Sequence, residues 1–163
     1  HASELSEAAI TRAVSTVRAI QRGQGNVTAP IAPAFGTNKQ LYTDSNPLSE
    51  IPFEQKLSVI MAIDNYLRRK DPRVAQVSVS LSGVWQAVQI LRADGQKTGD
   101  IRPLVRLNVQ VVCKHGDRME TGSSGAGART SYALYLTEAQ WKKQADEALR
   151  QALVNLESVP APA

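Results

Sequence analysis

Apolar residues recur along this chain with two different periods, and the change from one to the other separates helical from extended regions. From Glu4 to Arg22, Ile10, Ala13, Val14, Val17 and Ile20 follow one another at steps of three and four, the spacing that lines up side chains on one side of an α-helix. Gly23 stands where such a helix ends, so the pattern predicts a helix with one buried face. Across residues 23–50 no period is sustained and Gly, Pro, Ala, Asn and Ser prevail, which predicts a long connection. Pro52 suits a first helical turn, and Phe53, Leu57, Ile60, Met61, Asp64 and Leu67 trace one side of a second helix. Asp64 reads as a carboxylate at the edge of that stripe, because no second carboxylate or histidine accompanies it for acid/base work.

After Asp71-Pro72 the period becomes two. Ala75, Val77, Val79 and Leu81 alternate with Gln76, Ser78 and Ser80, as in a strand with one face buried. Ser82-Gly83 carries turn chemistry, and Val84 to Arg92 follows as a second strand, predicting a hairpin. Asp94-Gly95 is another turn signal. From Val105 to Cys113 the odd positions are apolar against Arg106, Asn108 and Gln110, the clearest strand in the chain. His115-Gly116-Asp117 turns into a fourth extended segment, Arg118 to Gly122, leading into a Gly-rich stretch. Helical spacing then returns. Thr137 and Gln140 form a capping box, and Trp141, Ala145, Ala148, Leu149, Ala152 and Leu156 make a continuous apolar stripe. The predicted class is α+β, an antiparallel meander of about four strands with helices packed on one face. The expected organisation is an N-terminal helix and irregular connection over 1–50, an α+β domain over 51–157, and a truncated linker over 158–163.

Composition narrows the chemistry. With 163 residues, 42% hydrophobic and 21% charged, the chain is large enough for a core and lies outside the disordered regime. No apolar run approaches the roughly 20 residues of a membrane span, and no secretory signal opens the chain; the expectation is a cytoplasmic protein with no membrane partner. A net charge of +4 spread along the sequence gives no basic stripe for direct nucleic-acid contact. Arg68, Arg69 and Lys70 sit at a predicted helix end, where they complement the macrodipole. The one cysteine, Cys113, falls in an apolar strand and reads as a buried structural thiol. His1 and His115 have no partners at ligand spacing, so no metal or other cofactor is expected in this segment. The start at His1 and the closing Ser158 to Ala163 (SVPAPA) read as a trimmed fragment.

Two segments carry candidate function. Gly122 to Arg129 (GSSGAGAR) offers free backbone N–H groups, but no Gly-Lys-Ser/Thr follows as a phosphate loop requires. Its small residues allow a bend or the close approach of another backbone, or present a sheet edge that accepts an added peptide strand. Asp100 to Arg106 (DIRPLVR) sets two arginines around Pro103 at the mouth of an apolar strand. One reading pairs Asp100 with Arg102 at the surface and leaves Arg106 solvated. The other has Arg102 and Arg106 clamping a carboxylate of a peptide or a neighbouring domain.

Ser80-Leu81-Ser82-Gly83-Val84, Asp94-Gly95, Arg102 to Leu107, the Gly-rich stretch ending in Arg129, and Ala152 to Leu156 leading into Ala161-Pro162 together resemble the middle portion of TldD-type members of the TldD/PmbA family of bacterial metallopeptidases. The resemblance covers residues 72–163 well, Leu41 to Leu67 more loosely, and the earlier residues weakly. It implies a zinc peptidase acting on unfolded or extended peptides, including peptide toxins and antitoxins, in company with a related subunit, and a historical link to modulation of DNA gyrase. It also implies that the metal signature HExxxH lies just past this chain, with zinc in the parent protein. No catalytic residue carries over. Arg102, Arg106, Gly125, Gly127 and Arg129 match family motifs as candidates for contact with substrate or partner, although Ala126 and Ala128 depart from the all-glycine pattern of that stretch. The alternative is a stand-alone protein-interaction module without enzymatic activity.

Overall fold

The computed structural model describes residues 4–23, 40–91, 95 and 97–159. It divides into two units, His1–Asn38 and Lys39–Ala163. Most of the predicted connection over 23–50, Asp94 of the second turn signal, and residues 160–163 of the predicted linker lie outside the described residues.

In the first unit, α1 (Glu7–Gly23) begins at Ser6, whose Oγ accepts from the Ala9 N–H at 3.2 Å and so satisfies one of the free amides of the first turn. The predicted apolar row is present, but Ile10, Val14, Val17 and Ile20 are exposed rather than buried. Among the described residues α1 is the one element of its unit, and a helix cannot bury a face against itself.

The second unit is built on a three-stranded antiparallel sheet in the order β1-β2-β3, with β1 Val74–Leu91, β2 Lys97–His115 and β3 Arg118–Ala128. The class is α+β as predicted, with three strands instead of four. Ser82-Gly83 is no turn, since β1 runs straight through it with Gly83 opposite Val105. The glycine serves packing. A Cβ there would lie 2.1 Å from the Tyr132 hydroxyl and 3.2 Å from Leu48 Cδ2, so only a bare backbone lets the buried tyrosine cross the strand. His115-Gly116-Asp117 does turn the chain: His115 pairs with Arg118, and of the two residues between them Gly116 takes positive φ, 61°, while Asp117 does not, as in a type II′ hairpin. The Gly-rich stretch continues β3 as regular strand to Ala128.

Two long helices cover one face. On α3 (Phe53–Lys70) the buried residues are Ile63 and Leu67, with Val59 and Tyr66 packed beside them. The helix is rotated from the predicted stripe, leaving Phe53, Leu57 and Met61 exposed. Asp64 lies at the stripe's edge as expected, accepting from Arg68 Nε at 3.0 Å. On α5 (Glu138–Glu157) the whole predicted stripe is buried. Thr137 stands at its N-cap without the predicted capping box, because its hydroxyl donates back to the Leu134 carbonyl at 2.9 Å. The Tyr66 and Trp141 rings meet in a T-shaped pair with centroids 5.5 Å apart, joining the two helices. Beneath them Val105, Leu107, Val109, Val111 and Cys113 of β2 form the floor of the core. The short helices α2 (Pro47–Glu50) and α4 (Ala133–Leu136) bring Leu48 and Tyr132 onto β1. Among the described residues no helix is long and apolar enough to cross a membrane.

Candidate functional site

Around the middle of β2 the face of the sheet away from the helices is polar and open. Ser78, Ser80, Arg106, Asn108, Gln110, Ser123 and Gly125 surround a shallow depression of about 590 Å3. Strand alternation puts them there: when Val109 and Val111 point into the core, Asn108 and Gln110 must point out. Arg106 Nε donates to Asn108 Oδ1 at 3.0 Å, and Asn108 Nδ2 donates to Ser80 Oγ at 3.4 Å. Gly125 is the seat for this pair, since a Cβ on it would lie 2.4 Å from Asn108 Oδ1. Gly127 faces Arg106 directly across the strands.

The structure therefore gathers Arg106, Gly125 and Gly127 into one place and sets the other two candidates apart. Arg102 lies opposite Gln86, past the end of β3, and Arg102 Nε donates to Asp100 Oδ2 at 2.6 Å. The surface-pairing reading describes Arg102, whereas Arg106 is held by an amide rather than fully solvated. Arg129 stacks over the Tyr42 ring, 5.2 Å from its centroid. Sequence reasoning missed Asn108 and Tyr42 as partners. Asn108 was visible as an outward position in the period-two pattern, but nothing local marks Tyr42 as the ring beneath Arg129.

The free edge of β3 borders this depression. In an antiparallel strand, the N–H and C=O of one residue point to the same side and alternate along the chain. Asn155 Nδ2 donates to the Thr121 carbonyl at 3.0 Å, and the Ser123 N–H donates to Gln151 Oε1 at 3.4 Å. Odd-numbered residues of β3 therefore face outward, and α5 caps the edge at Thr121 and Ser123. The same alternation turns Gly125 and Gly127 outward. Among the described residues no side chain takes their main-chain groups on that side. Gln151 and Asn155 were legible only as polar residues flanking the α5 stripe.

Metal chemistry finds no footing in these side chains. Cys113 is fully buried against the core, and burial pushes its thiol pKa up, opposite to what a thiolate ligand needs. His115 sits exposed at the hairpin. Among the described residues no three His, Cys, Asp or Glu side chains are grouped to hold an ion, so the residues present do not fit a zinc site.

Residues 46–156 match the family model described as the PmbA/TldA metallopeptidase central domain. The chain is 36% identical to the metalloprotease TldD homolog of Haemophilus influenzae, over 100% of this chain and 35% of that protein. It is 34% identical to the metalloprotease TldD homolog of Buchnera aphidicola subsp. Schizaphis graminum, over 81% of this chain and 29% of that protein. The chain thus spans about a third of the length of the curated relatives it matches. The open sheet face and the half-capped edge of β3 both fall inside the matched residues, and the chain belongs to the TldD/PmbA metallopeptidase family, as a central domain of the TldD type.

Proposed function

We propose that this domain guides extended or unfolded peptide toward a catalytic centre held elsewhere in a zinc-dependent peptidase, and contributes no catalytic residue itself. The observation that supports this is the division of the β3 edge: Thr121 and Ser123 are capped by α5, while no described side chain caps Gly125 and Gly127. A peptide laid along the uncapped part adds as a strand, trading main-chain hydrogen bonds that every sequence can make. Bare glycines leave room beside its side chains. Arg106, fixed by Asn108, keeps its terminal guanidinium nitrogens for a carboxylate on the peptide. Arg129 and Arg102, each engaged with a neighbour, border the path. The protein would work in the cytoplasm beside a related subunit, and any effect on DNA gyrase would run through peptide processing, because this face carries no basic stripe.

The test uses full-length protein and an extended peptide substrate. Gly127→Pro removes one outward N–H without disturbing the bonds to β2, and proline is tolerated at such an edge. Loss of one main-chain hydrogen bond, about 1 kcal/mol, raises KM roughly fivefold with kcat little changed. Gly127→Ala, whose Cβ meets its nearest neighbour at 3.4 Å, keeps the N–H and the original KM. Equal KM values for the two variants would sink the proposal. So would full-length protein lacking both stoichiometric zinc and peptidase activity, the result expected of a stand-alone interaction module.

A further inference from the structure

The opposite edge of the sheet belongs to β1, and it runs beside an apolar helix flank that none of the domain's described residues covers. Because odd-numbered residues of β3 face outward, pairing through β2 makes the even-numbered residues of β1 the ones bonded inward. Ala75, Val77 and Val79 then direct their main-chain groups away from the sheet. Arg68 Nη1 donating to the Ala75 carbonyl at 3.4 Å agrees with this. Among the described residues, the outward groups of Val77 and Val79 have no partner. They border a groove of about 480 Å3 whose far wall is Ile60, Met61, Asp64 and Asn65 of α3. Further along the helix from Met61, 56% exposed, come Leu57 and then Phe53, 71% exposed.

Three properties define what fits there. A row of unsatisfied N–H and C=O groups takes an extended backbone. Phe53, Leu57 and Met61 recur every four helical residues, about 6 Å of rise, close to the roughly 6.6 Å between alternate residues of a strand. One strand can therefore pair with β1 and set successive side chains near the three apolar ones. Among the described residues the groove has no unpaired charge, because Asp64 is bound to Arg68 at 3.0 Å, so the side chains facing it should be uncharged. An exposed apolar edge strand promotes self-association unless it is covered. The chain accounts for 35% of the length of its Haemophilus influenzae relative, so most of a full-length protein of that size is available to cover it.

We infer that an extended, apolar segment of the same polypeptide, from outside this domain, adds to the edge of β1 and packs on the Phe53–Leu57–Met61 flank of α3. This is independent of peptide binding at β3. Hydrogen exchange of the full-length protein, resolved to single amides and without added peptide, tests it. The Val77 and Val79 amides are expected to exchange about a hundredfold or more below their intrinsic rates, independently of protein concentration. Met61→Asp, at an exposed position, is expected to bring them to within about tenfold of those rates, while Val109 and Val111 in β2 stay protected. Four results overturn the inference: rapid exchange at Val77 and Val79 in the unsubstituted protein; protection only when an extended peptide is added, which assigns the edge to substrate; protection that grows with concentration, which assigns it to a second copy; or protection unmoved by Met61→Asp. Should that variant lose protection throughout, the unsubstituted protein decides the matter.

Discussion

The two faces of the sheet solve opposite problems with the same strands. Leu107 and Val109 lie in the floor of the core, while Asn108 between them bonds Arg106 and Ser80 on the open face. β3 shows the contrast in its glycines. Gly122 points toward α5, where a Cβ would lie 2.1 Å from the Ala148 carbonyl oxygen and 2.3 Å from the Ala152 nitrogen. Gly125 and Gly127 lie on the open side, against Asn108 and Arg106. The helix side uses a missing side chain to bring two backbones together. On the open side the same absence leaves backbone accessible. A Gly-rich run thus has two physical meanings within one strand, separated by the direction in which each residue points.

The largest expected effect lies on the helix side. Gly122→Val forces branched carbon into the α5 backbone, which cannot yield as a flexible side chain would, and should cost more than about 3 kcal/mol. Chemical denaturation of the full-length protein, followed by a probe in this domain, measures it; a loss under about 1 kcal/mol would erase the distinction between the two sides.

A smaller effect separates the sides by their response to acid. Asp71, at the C-cap of α3, accepts from the Arg73 N–H at 2.9 Å, from Nε at 3.0 Å and from Nη2 at 2.7 Å. These bonds hold its pKa below the ordinary carboxylate range. As pH falls, the unfolded chain takes up the proton first, so the stability from this group is full above about pH 4 and is lost below it, through the lowered folded value. Asp71→Asn should cost about 1.5 kcal/mol near neutrality and flatten the acid limb of the stability curve. Among the described residues no carboxylate or histidine lines the depression on the open face, so Asn108→Ala should leave that limb unchanged. Equal acid limbs for Asp71→Asn and the unsubstituted protein would remove Asp71 from this account.

Much of this architecture was legible because periodicity is local. The odd residues from Val105 to Cys113, and the α5 stripe from Trp141 to Leu156, each name their buried side without reference to any other element. The errors arise where the decisive partner is distant in sequence. Gly83 resembles a turn until Tyr132 is seen lying across it. The α3 sequence holds two apolar rows, and the sheet beneath selects Ile63 and Leu67 over Phe53, Leu57 and Met61. The Gly-rich stretch allows a bend, yet pairing with β2 keeps it extended. Of the candidate site, Arg106, Gly125 and Gly127 could be named from sequence, but their gathering by Asn108 and the capping by Gln151 and Asn155 depend on strand register and on where α5 lands.

The smallest expected effect divides the open face itself. A methyl group on Gly125 meets Asn108 Oδ1 at 2.4 Å, whereas on Gly127 its nearest neighbour is the Val105 carbonyl oxygen at 3.4 Å. Asn108 can swing away, but only by loosening its bonds to Arg106 and Ser80, so Gly125→Ala should cost about 0.5 to 1 kcal/mol. Gly127 has no positive φ to protect. Alanine there restricts the unfolded chain and should be neutral or stabilising by up to about 0.5 kcal/mol. Thermal unfolding of the two variants checks the order. The same pair addresses the peptide path, since Gly125→Ala releases Arg106 from its amide while Gly127→Ala does not. A substrate ending in a free carboxylate should therefore lose affinity with the first variant alone, and its amidated form should lose none with either. If both variants shift both substrates equally, Arg106 has no part in reading the carboxylate, and the open face offers main chain only.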